Sequence, residues 1–406
     1  MQFVLLDPGF EDISSHHANV NRQLYLHAKK ADVALTILAA KKLVPSKLVQ
    51  SEDSVFQQSI KPWFKTPCYT NNLKPLDVIQ EQALAQQFCN ELEIAIKDNI
   101  IQSNDTLLIH TCFSFHVLGL AIWLLKIKNA FTGKLVVCGM FYPGKRVLKD
   151  GEDFLDFVWY LRNRLAFILL KEASEKLTLT LATSCASFIE AYQNCTGLAF
   201  TLHPVINYIP PSATFSKTKP CKRVILYIGS VKRDKGVARL HELIPDLMEQ
   251  TDDLEFFIHF NQASPGAREF ISLKPQLIQL AKTHTNLKLH FSPMSQSEYE
   301  YQLSISDAIV LLYEPQKYQL KTSGLLWDAI RYPDLAVICS TGIWAEYEYI
   351  AIGGSPFTFD YEDKQDVIAT IKQWQSADSN PLQLTQYGYT INQPFADWCF
   401  SSPVNM

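Results

Sequence analysis

Short apolar runs without helical period alternate along the chain with longer stretches of helical period, the pattern of parallel strands joined by crossover helices. The run Gln2 to Leu6 leads into a loop, Asp7 to Ser15, then a helix from about His17 to Lys30 and a strand Val33 to Ala39. Lys41 to Lys74 is polar, holds prolines with Trp63, Phe64 and Tyr69, and fits neither pattern. Its aromatics have two readings, lining a binding site or covering the sheet. The alternation then resumes: helix Leu76 to Lys97, strand Asp105 to His110, helix Phe113 to Lys126 and strand Lys134 to Cys138. A loop Gly139 to Arg146 follows, then one apolar-rich helix from Phe154 to Lys176, strand Leu177 to Leu181, helix Ser184 to Tyr192 and strand Leu198 to Leu202.

The stretch Pro210 to Pro220 is proline-rich, polar and unpatterned, as a hinge is. Beyond it the alternation repeats: strand Arg223 to Ile228, a basic loop, a helix from Val237, strand Leu254 to Phe260, a helix through Pro275 to Lys282 and strand Leu287 to Phe291. Helix Glu298 to Ser304 precedes strand Asp307 to Tyr313, a polar loop, helix Leu325 to Arg331 and strand Leu335 to Cys339. The fold class is α/β with two doubly wound domains: 1–210 joined by the C-terminal segment 393–406, a linker 211–222, and 223–392.

Composition changes this picture little but excludes several functions. With 406 residues, 47% hydrophobic and 19% charged, the chain is long enough for two cores. A net charge of -4 and a pI near 6.2 leave no electrostatic footprint for nucleic acid, so no such partner is expected. Nine scattered cysteines without metal-ligand spacing, several in apolar runs, read as reduced thiols in a cytoplasmic protein. Gln2 to Leu6 reads as the first strand rather than a leader, and Val117 to Leu125 is about half the length a bilayer-spanning helix needs. For Phe154 to Lys176 two roles stand open, packing on the sheet and lying on a membrane surface. Neither Gly-x-Ser-x-Gly nor a strand-linked Gly-x-Gly-x-x-Gly occurs.

Candidate chemistry concentrates at strand ends. Thr322-Ser323-Gly324 lies where a helix would open with free backbone amides, a corner suited to phosphate, with Asp328 one turn further on. Gly229-Ser230-Val231-Lys232-Arg233-Asp234-Lys235-Gly236 places a glycine and two lysines at a second strand end, suited to a diphosphate. His110 terminates a buried strand, where parallel-sheet ligand sites lie, although a structural histidine is the other reading.

Together these motifs resemble the GT-B glycosyltransferases, in particular the family 4-like retaining enzymes. The likeness covers most of the chain and is strongest from Val224 to Glu346. It implies two Rossmann-like domains whose parallel sheets face across a cleft, with the acceptor on the first and a nucleoside-diphosphate sugar on the second. On that resemblance Gly229, Ser230, Thr322, Ser323 and Gly324 would hold the donor diphosphate with Lys232 and Lys235, Asp328 would hold the ribose, and the turn at Met294 would face the base. His110 would lie against the transferred sugar. His17 and Arg146 would reach the acceptor, with Ser14 and Ser15 standing in for the family's glycines. The other readings are that His16 and His17 start a helix on its solvated side and that Lys145 and Arg146 are surface charge.

The expected function is therefore metal-independent glycosyl transfer with retention, using the nucleotide sugar as co-substrate and no cofactor. No Asp-x-Asp pair occurs to hold a diphosphate through a cation. The chain departs from the family's commonest form in having Leu320 where the first of two carboxylates stands. Tyr318, Lys321, Ser323 and Gly324 resemble a subset lacking that carboxylate. The alternative is a catalytically silent relative that binds sugar nucleotides or serves in assembly. Sugar, base and acceptor (glycan, lipid, protein or small molecule) cannot be read from the sequence.

Overall fold

The computed structural model describes residues 2–12, 16–44, 54–69, 76–127, 130–144, 146–149, 152–155, 157–204, 222–229, 231–251, 253–260, 268–377 and 395–400. The chain divides into two compact units, Met1–Asn207 with Thr390–Met406, and Tyr208–Tyr389. Residues 211–221 of the expected linker lie outside the described residues, and Lys222 begins a strand instead.

The first unit runs β1 (Phe3–Asp7), α1 (His16–Lys30), β2 (Leu35–Ala40), α2 (Ser54–Ser59), β3 (Ile60–Phe64), α3 (Val78–Lys97), β4 (Thr106–Ile109), α4 (Ser114–Ile127) and β5 (Lys134–Gly139). It continues with β6 (Arg146–Lys149), β7 (Glu152–Leu155), α5 (Phe157–Ala173), β8 (Thr178–Thr183), α6 (Ala186–Thr196) and β9 (Thr201–Leu202). The sheet order is β3-β2-β1-β4-β5-β8-β9, all pairs parallel. Val4, Leu5, Leu107, Leu108, Leu135 and Val137 are fully buried, because helices cover both faces and leave no solvated side for a polar alternation.

The second unit runs β10 (Lys222–Tyr227), two 3-10 turns (Arg233–Lys235 and Val237–Arg239), α7 (Leu240–Gln250), β11 (Leu254–His259), α8 (Arg268–Thr283), β12 (Leu287–His290), α9 (Gln296–Ser304) and β13 (Ala308–Leu311). Then come α10 (Pro315–Tyr318), α11 (Gly324–Ala329), β14 (Ala336–Ser340), α12 (Trp344–Ala351), β15 (Phe357–Phe359) and α13 (Lys364–Ser376). Its sheet, β12-β11-β10-β13-β14-β15, is again parallel. The last helix, α14 (Phe395–Phe400), returns to the first unit, where Phe400 packs edge-on against Phe3 at 4.7 Å and Asp397 meets His27 at 2.9 Å.

Several expectations are corrected. The unpatterned region 41–74 holds α2 and β3, and β3 tolerates Pro62 because it is the sheet's edge strand, where a missing N–H breaks no central ladder. The loop ending at Arg146 and the helix beginning at Phe154 both give way to an antiparallel hairpin, β6 with β7, so α5 starts only at Phe157. The strand expected over Leu198 to Leu202 shrinks to Thr201–Leu202. The helix expected from Val237 begins as a 3-10 turn and becomes α-helical at Leu240. The polar loop after Tyr313 contains α10, and α11 ends at Ala329 rather than Arg331.

α5 buries Ala166, Phe167 and Leu170, as core packing requires, while Val158, Leu161 and Leu165 remain 50–60% exposed. Among the described residues no helix is long and apolar enough to cross a membrane.

Candidate functional site

In both sheets the strand order reverses beside the first strand, between β1 and β4 and between β10 and β13. Loops leave such a switch point in opposite directions and open a crevice at the carboxyl ends of the strands. Each unit places a polar cluster there.

In the first unit the cluster centres on Asp7. β1 and β4 pair with Leu5 opposite Leu108, so the same register carried onward brings Asp7 beside His110. His17 and Asn21 add themselves from one face of α1, four residues apart. Asp7, His17 and His110 are each 1% exposed and Asn21 is fully buried. Asp7 Oδ1 accepts from the Gly9 amide at 3.1 Å and pairs with His17 Nδ1 at 2.7 Å. Its Oδ2 accepts from Asn21 Nδ2 at 2.8 Å and lies 3.2 Å from His110 Nε2. Burial alone would raise the Asp7 pKa, yet the two imidazoles beside it pull the carboxyl well below its usual range. A side chain on Gly9 would strike the His17 ring, so that position must stay bare for the imidazole to reach the carboxylate.

A carboxylate only accepts, so Asp7 sets the tautomer of His110, whose Nε2 it meets in a hydrogen bond. His17 Nδ1 lies 2.7 Å from Asp7 Oδ1 as an ion-pair contact, and its Nε2 is 3.0 Å from the Tyr69 hydroxyl. His110 carries its proton on Nε2 and turns Nδ1 to the Thr111 hydroxyl at 2.8 Å. The rings of His17 and His110 lie 5.3 Å apart. The solvated-side reading of His17 is thus overturned, while Ser14, Ser15 and Lys145 lie outside the described residues, as do the side chains of His16 and Arg146. The ligand atoms of Asp7, His17 and His110 all fall within 4.8 Å of one another, a donor set that a divalent ion could also use.

In the second unit the expected basic loop and Ser323 loop meet. Gly229, two residues beyond β10, stands at φ 113° with open space where a side chain would be, and Ser230 lies outside the described residues. Gly236, at φ 78°, lies so close to the Leu312 carbonyl that any side chain would collide with it, and this contact pins the lysine turn to the end of β13. The Glu314 amide adds a 3.0 Å bond to the Asp234 carbonyl. Lys321 Nζ reaches Asp234 at 2.7 Å and sits 4.5 Å from the Tyr318 ring. Lys235 lies 5.8 Å from the Tyr313 ring, whose hydroxyl is 2.9 Å from Ser323 Oγ. Half-buried Lys235 has its pKa pushed down to about 8, by burial first and then by Lys232 and Lys321, against the pull of Asp234. Lys321 and Lys235 therefore share the field of one carboxylate, with the Lys232 ammonium acting on Lys235 as well.

The remaining expected residues are placed less simply. Ser323 precedes α11 without its side chain capping the helix, its hydroxyl being given to Tyr313. α11 has six residues, so its dipole is small and the cationic side chains dominate the field. Thr322 is half-buried and Gly324 exposed in the same loop. Asp328 accepts from Tyr299 at 2.8 Å and faces Arg331 at 3.8 Å, so a ribose would share it with these partners. Burial raises its pKa, opposed by Tyr299 and Arg331. Met294 follows β12, two strands away from β10.

Sequence reasoning missed Asp7 and Asn21 and left Tyr69 between lining a binding site and covering the sheet. A signal for two of them existed, since Asp7 and His110 both terminate buried strands and His17 and Asn21 share a helix face. Tyr69 lay in the unpatterned region, and its place could be read only from the fold.

Two parallel α/β units with these topologies make the fold that of the GT-B glycosyltransferases. Sucrose-phosphate synthase from Thermosynechococcus elongatus is similar over 98% of this chain and 94% of its own, at TM-score 0.54 and 13% identity. The E. coli trehalose-6-phosphate structure bound with UDP-2-fluoro glucose matches over 98% and 95%, at 0.56 and 10%. The catalytic domain of starch synthase IV from Arabidopsis thaliana, bound to ADP and acarbose, matches over 93% and 92%, at 0.54 and 10%. No protein-family model and no curated protein sequence matches the chain.

Proposed function

We propose that this protein transfers a sugar from a nucleoside-diphosphate sugar to an acceptor, without a metal on the diphosphate and with retention of configuration. The observation that carries the reading is the gathering of Lys232, Lys235 and Lys321 at the β10/β13 switch point, where burial first and then the neighbouring ammonium groups lower the Lys235 pKa to about 8. Cations held against one another in this way gain most from an anion of higher charge than Asp234. The open space at Gly229 lets such an anion approach the backbone. Departure of a nucleoside diphosphate develops negative charge, which the lysines would stabilise as a cation does in metal-dependent enzymes. Ser323, Gly324 and Thr322 complete that wall, Asp328 meets the ribose and Met294 the base, and His110 supports the transferred sugar rather than attacking it. UDP-2-fluoro glucose and ADP, bound by two of the similar structures, are ligands of the class this reading requires. Eight described cysteines are buried free thiols, which supports a reducing, cytoplasmic setting.

A binding module without transfer is favoured by one feature, aliphatic Leu320 in place of the carboxylate. The test for both is a thermal-shift screen of UDP-, GDP-, ADP- and dTDP-sugars, followed by assay of nucleoside diphosphate release. A ligand at 100 times its Kd should add about 2.7 kcal/mol of stability. Binding with release supports the transferase, binding without release the silent module, and no shift with any donor contradicts both.

A further inference from the structure

We propose that Asp7, His17 and His110 bind one divalent transition-metal ion, zinc by preference, whose water ligand is received by Asn21. The inference concerns the first unit alone and stands whether or not the chain transfers sugars.

The donor set comes first. One ligand atom from each of Asp7, His17 and His110 falls within 4.8 Å of the others, and all three residues are buried. His110 Nε2 lies 3.2 Å from Asp7 Oδ2, and His17 Nδ1 lies 2.7 Å from Asp7 Oδ1. Zinc bonds of about 2.0–2.1 Å separate neighbouring nitrogen and oxygen ligands by about 3.3 Å in a tetrahedral site, so side-chain rotation is enough to close the three on an ion. Two imidazoles with one carboxylate suit zinc or a neighbouring transition ion, whereas magnesium and calcium take oxygen ligands.

The far side of each ring fits the same role. An imidazole that ligates a metal donates its remaining N–H to an oxygen, which fixes the ring's orientation. The Thr111 hydroxyl lies 2.8 Å from His110 Nδ1, and the Tyr69 hydroxyl 3.0 Å from His17 Nε2. A hydroxyl both donates and accepts. Without an ion, His110 Nε2 carries the proton shared with Asp7, and Thr111 donates to Nδ1; with an ion on Nε2 the proton moves to Nδ1 and Thr111 accepts it. The Gly9 amide on Oδ1 and Asn21 Nδ2 on Oδ2 hold the carboxylate in place in both states.

An unpartnered atom stands beside the cluster. Asn21 is fully buried and its Nδ2 donates to Asp7 Oδ2 at 2.8 Å, yet Oδ1 of the same amide has no hydrogen-bond partner among the described residues. Reversing the amide would set an oxygen against the carboxylate, so the bare atom is the oxygen. Leaving a buried acceptor bare is costly, and a water in the fourth position of the ion supplies the missing donor.

The test uses the full chain, purified without chelator or nickel resin, assayed for metal by plasma mass spectrometry, then stripped with dipicolinate and refilled with Zn²⁺ or Co²⁺. We expect one equivalent per chain after refilling, whether or not the ion survives purification, and a higher melting temperature than in the stripped protein. Cobalt should give visible d–d bands without the near-ultraviolet charge transfer of a thiolate ligand. His17→Ala should lose the stoichiometric site, while His241→Ala, at a half-exposed position in the other unit, should keep it. Tyr69→Phe removes one hydroxyl at a position 37% exposed, so it should fold and bind zinc about 10- to 100-fold more weakly. If His17→Ala does not fold, Tyr69→Phe and the wild-type cobalt spectrum decide. Stripped wild type that takes up neither ion would overturn the site. So would thiolate charge transfer, which would place the metal on cysteines, or equal zinc affinity in wild type, His17→Ala and Tyr69→Phe, which would place it elsewhere on the surface.

Discussion

Asp7 gathers three hydrogen-bond donors and the His17 ion-pair contact on its two oxygens. Asp7→Asn should destabilise the fold by about 3 kcal/mol or more at pH 7, because an amide meets buried donors with a donor of its own. The folded-state pKa of Asp7 is depressed below 3.8, so its contribution is present above that value and fades as pH falls through the folded value. Wild-type and Asp7→Asn melting temperatures should therefore differ most near neutrality and converge in acid, as calorimetry from pH 7 to pH 2 would show. Lys235 obeys the opposite sign. Its pKa is lowered from 10.5 to about 8, so the ammonium that an anion needs is lost as pH rises past 8. Nucleotide affinity should weaken about tenfold from pH 7 to pH 9, one proton being taken up on binding. Stability of the free protein should rise across the window from 8 to 10.5, where the unfolded chain still holds that proton. A pH-independent nucleotide Kd would show that Lys235 does not touch the anion.

At the scale of elements, the turn from Lys232 to Gly236 does the positioning in the second unit. Gly236→Ala forces a left-handed φ on alanine and drives its side chain into the Leu312 carbonyl, so it should cost about 1–3 kcal/mol and weaken nucleotide binding along with it. Urea unfolding and nucleotide titration on one variant check both effects, and full stability with full affinity would contradict the pinning of the turn. The same scale shows how much the sequence discloses. The buried parallel strands were legible because continuous apolar runs such as Leu107-Leu108-Ile109 and Ala308-Ile309-Val310-Leu311 admit little else. The helix α3 was legible through period, and its start is fixed by a capping box between Asp77 and Gln80. β3 was missed because its sequence, Ile60-Lys61-Pro62-Trp63-Phe64, is short, prolyl and on an edge. The β6–β7 hairpin was missed although Asp150-Gly151 is a hairpin dipeptide, because the apolar density after Phe154 favoured a helical reading.

Taken as a whole, the molecule repeats one solution twice: a parallel sheet whose order reverses beside its first strand, with a polar cluster at the reversal. The lysine cluster was foreseeable from the basic loop and the Ser323 loop, since both follow strands that pair with each other, β10 and β13. The Asp7 cluster was foreseeable only in its histidines, because Asp7 itself reads as the start of a loop and Tyr69 comes from a stretch without period. The central claim, that the lysines bind the diphosphate of a sugar nucleotide without a metal, is tested most directly by isothermal titration of wild type and Lys235→Ala with the best donor from the screen, in EDTA. The account expects undiminished wild-type affinity in EDTA and a loss of about tenfold to a hundredfold in the variant, the range for one charge-assisted contact, with melting temperature preserved. Equal affinity of the two proteins, or wild-type binding that vanishes in EDTA and returns with Mg²⁺ or Mn²⁺, would contradict it.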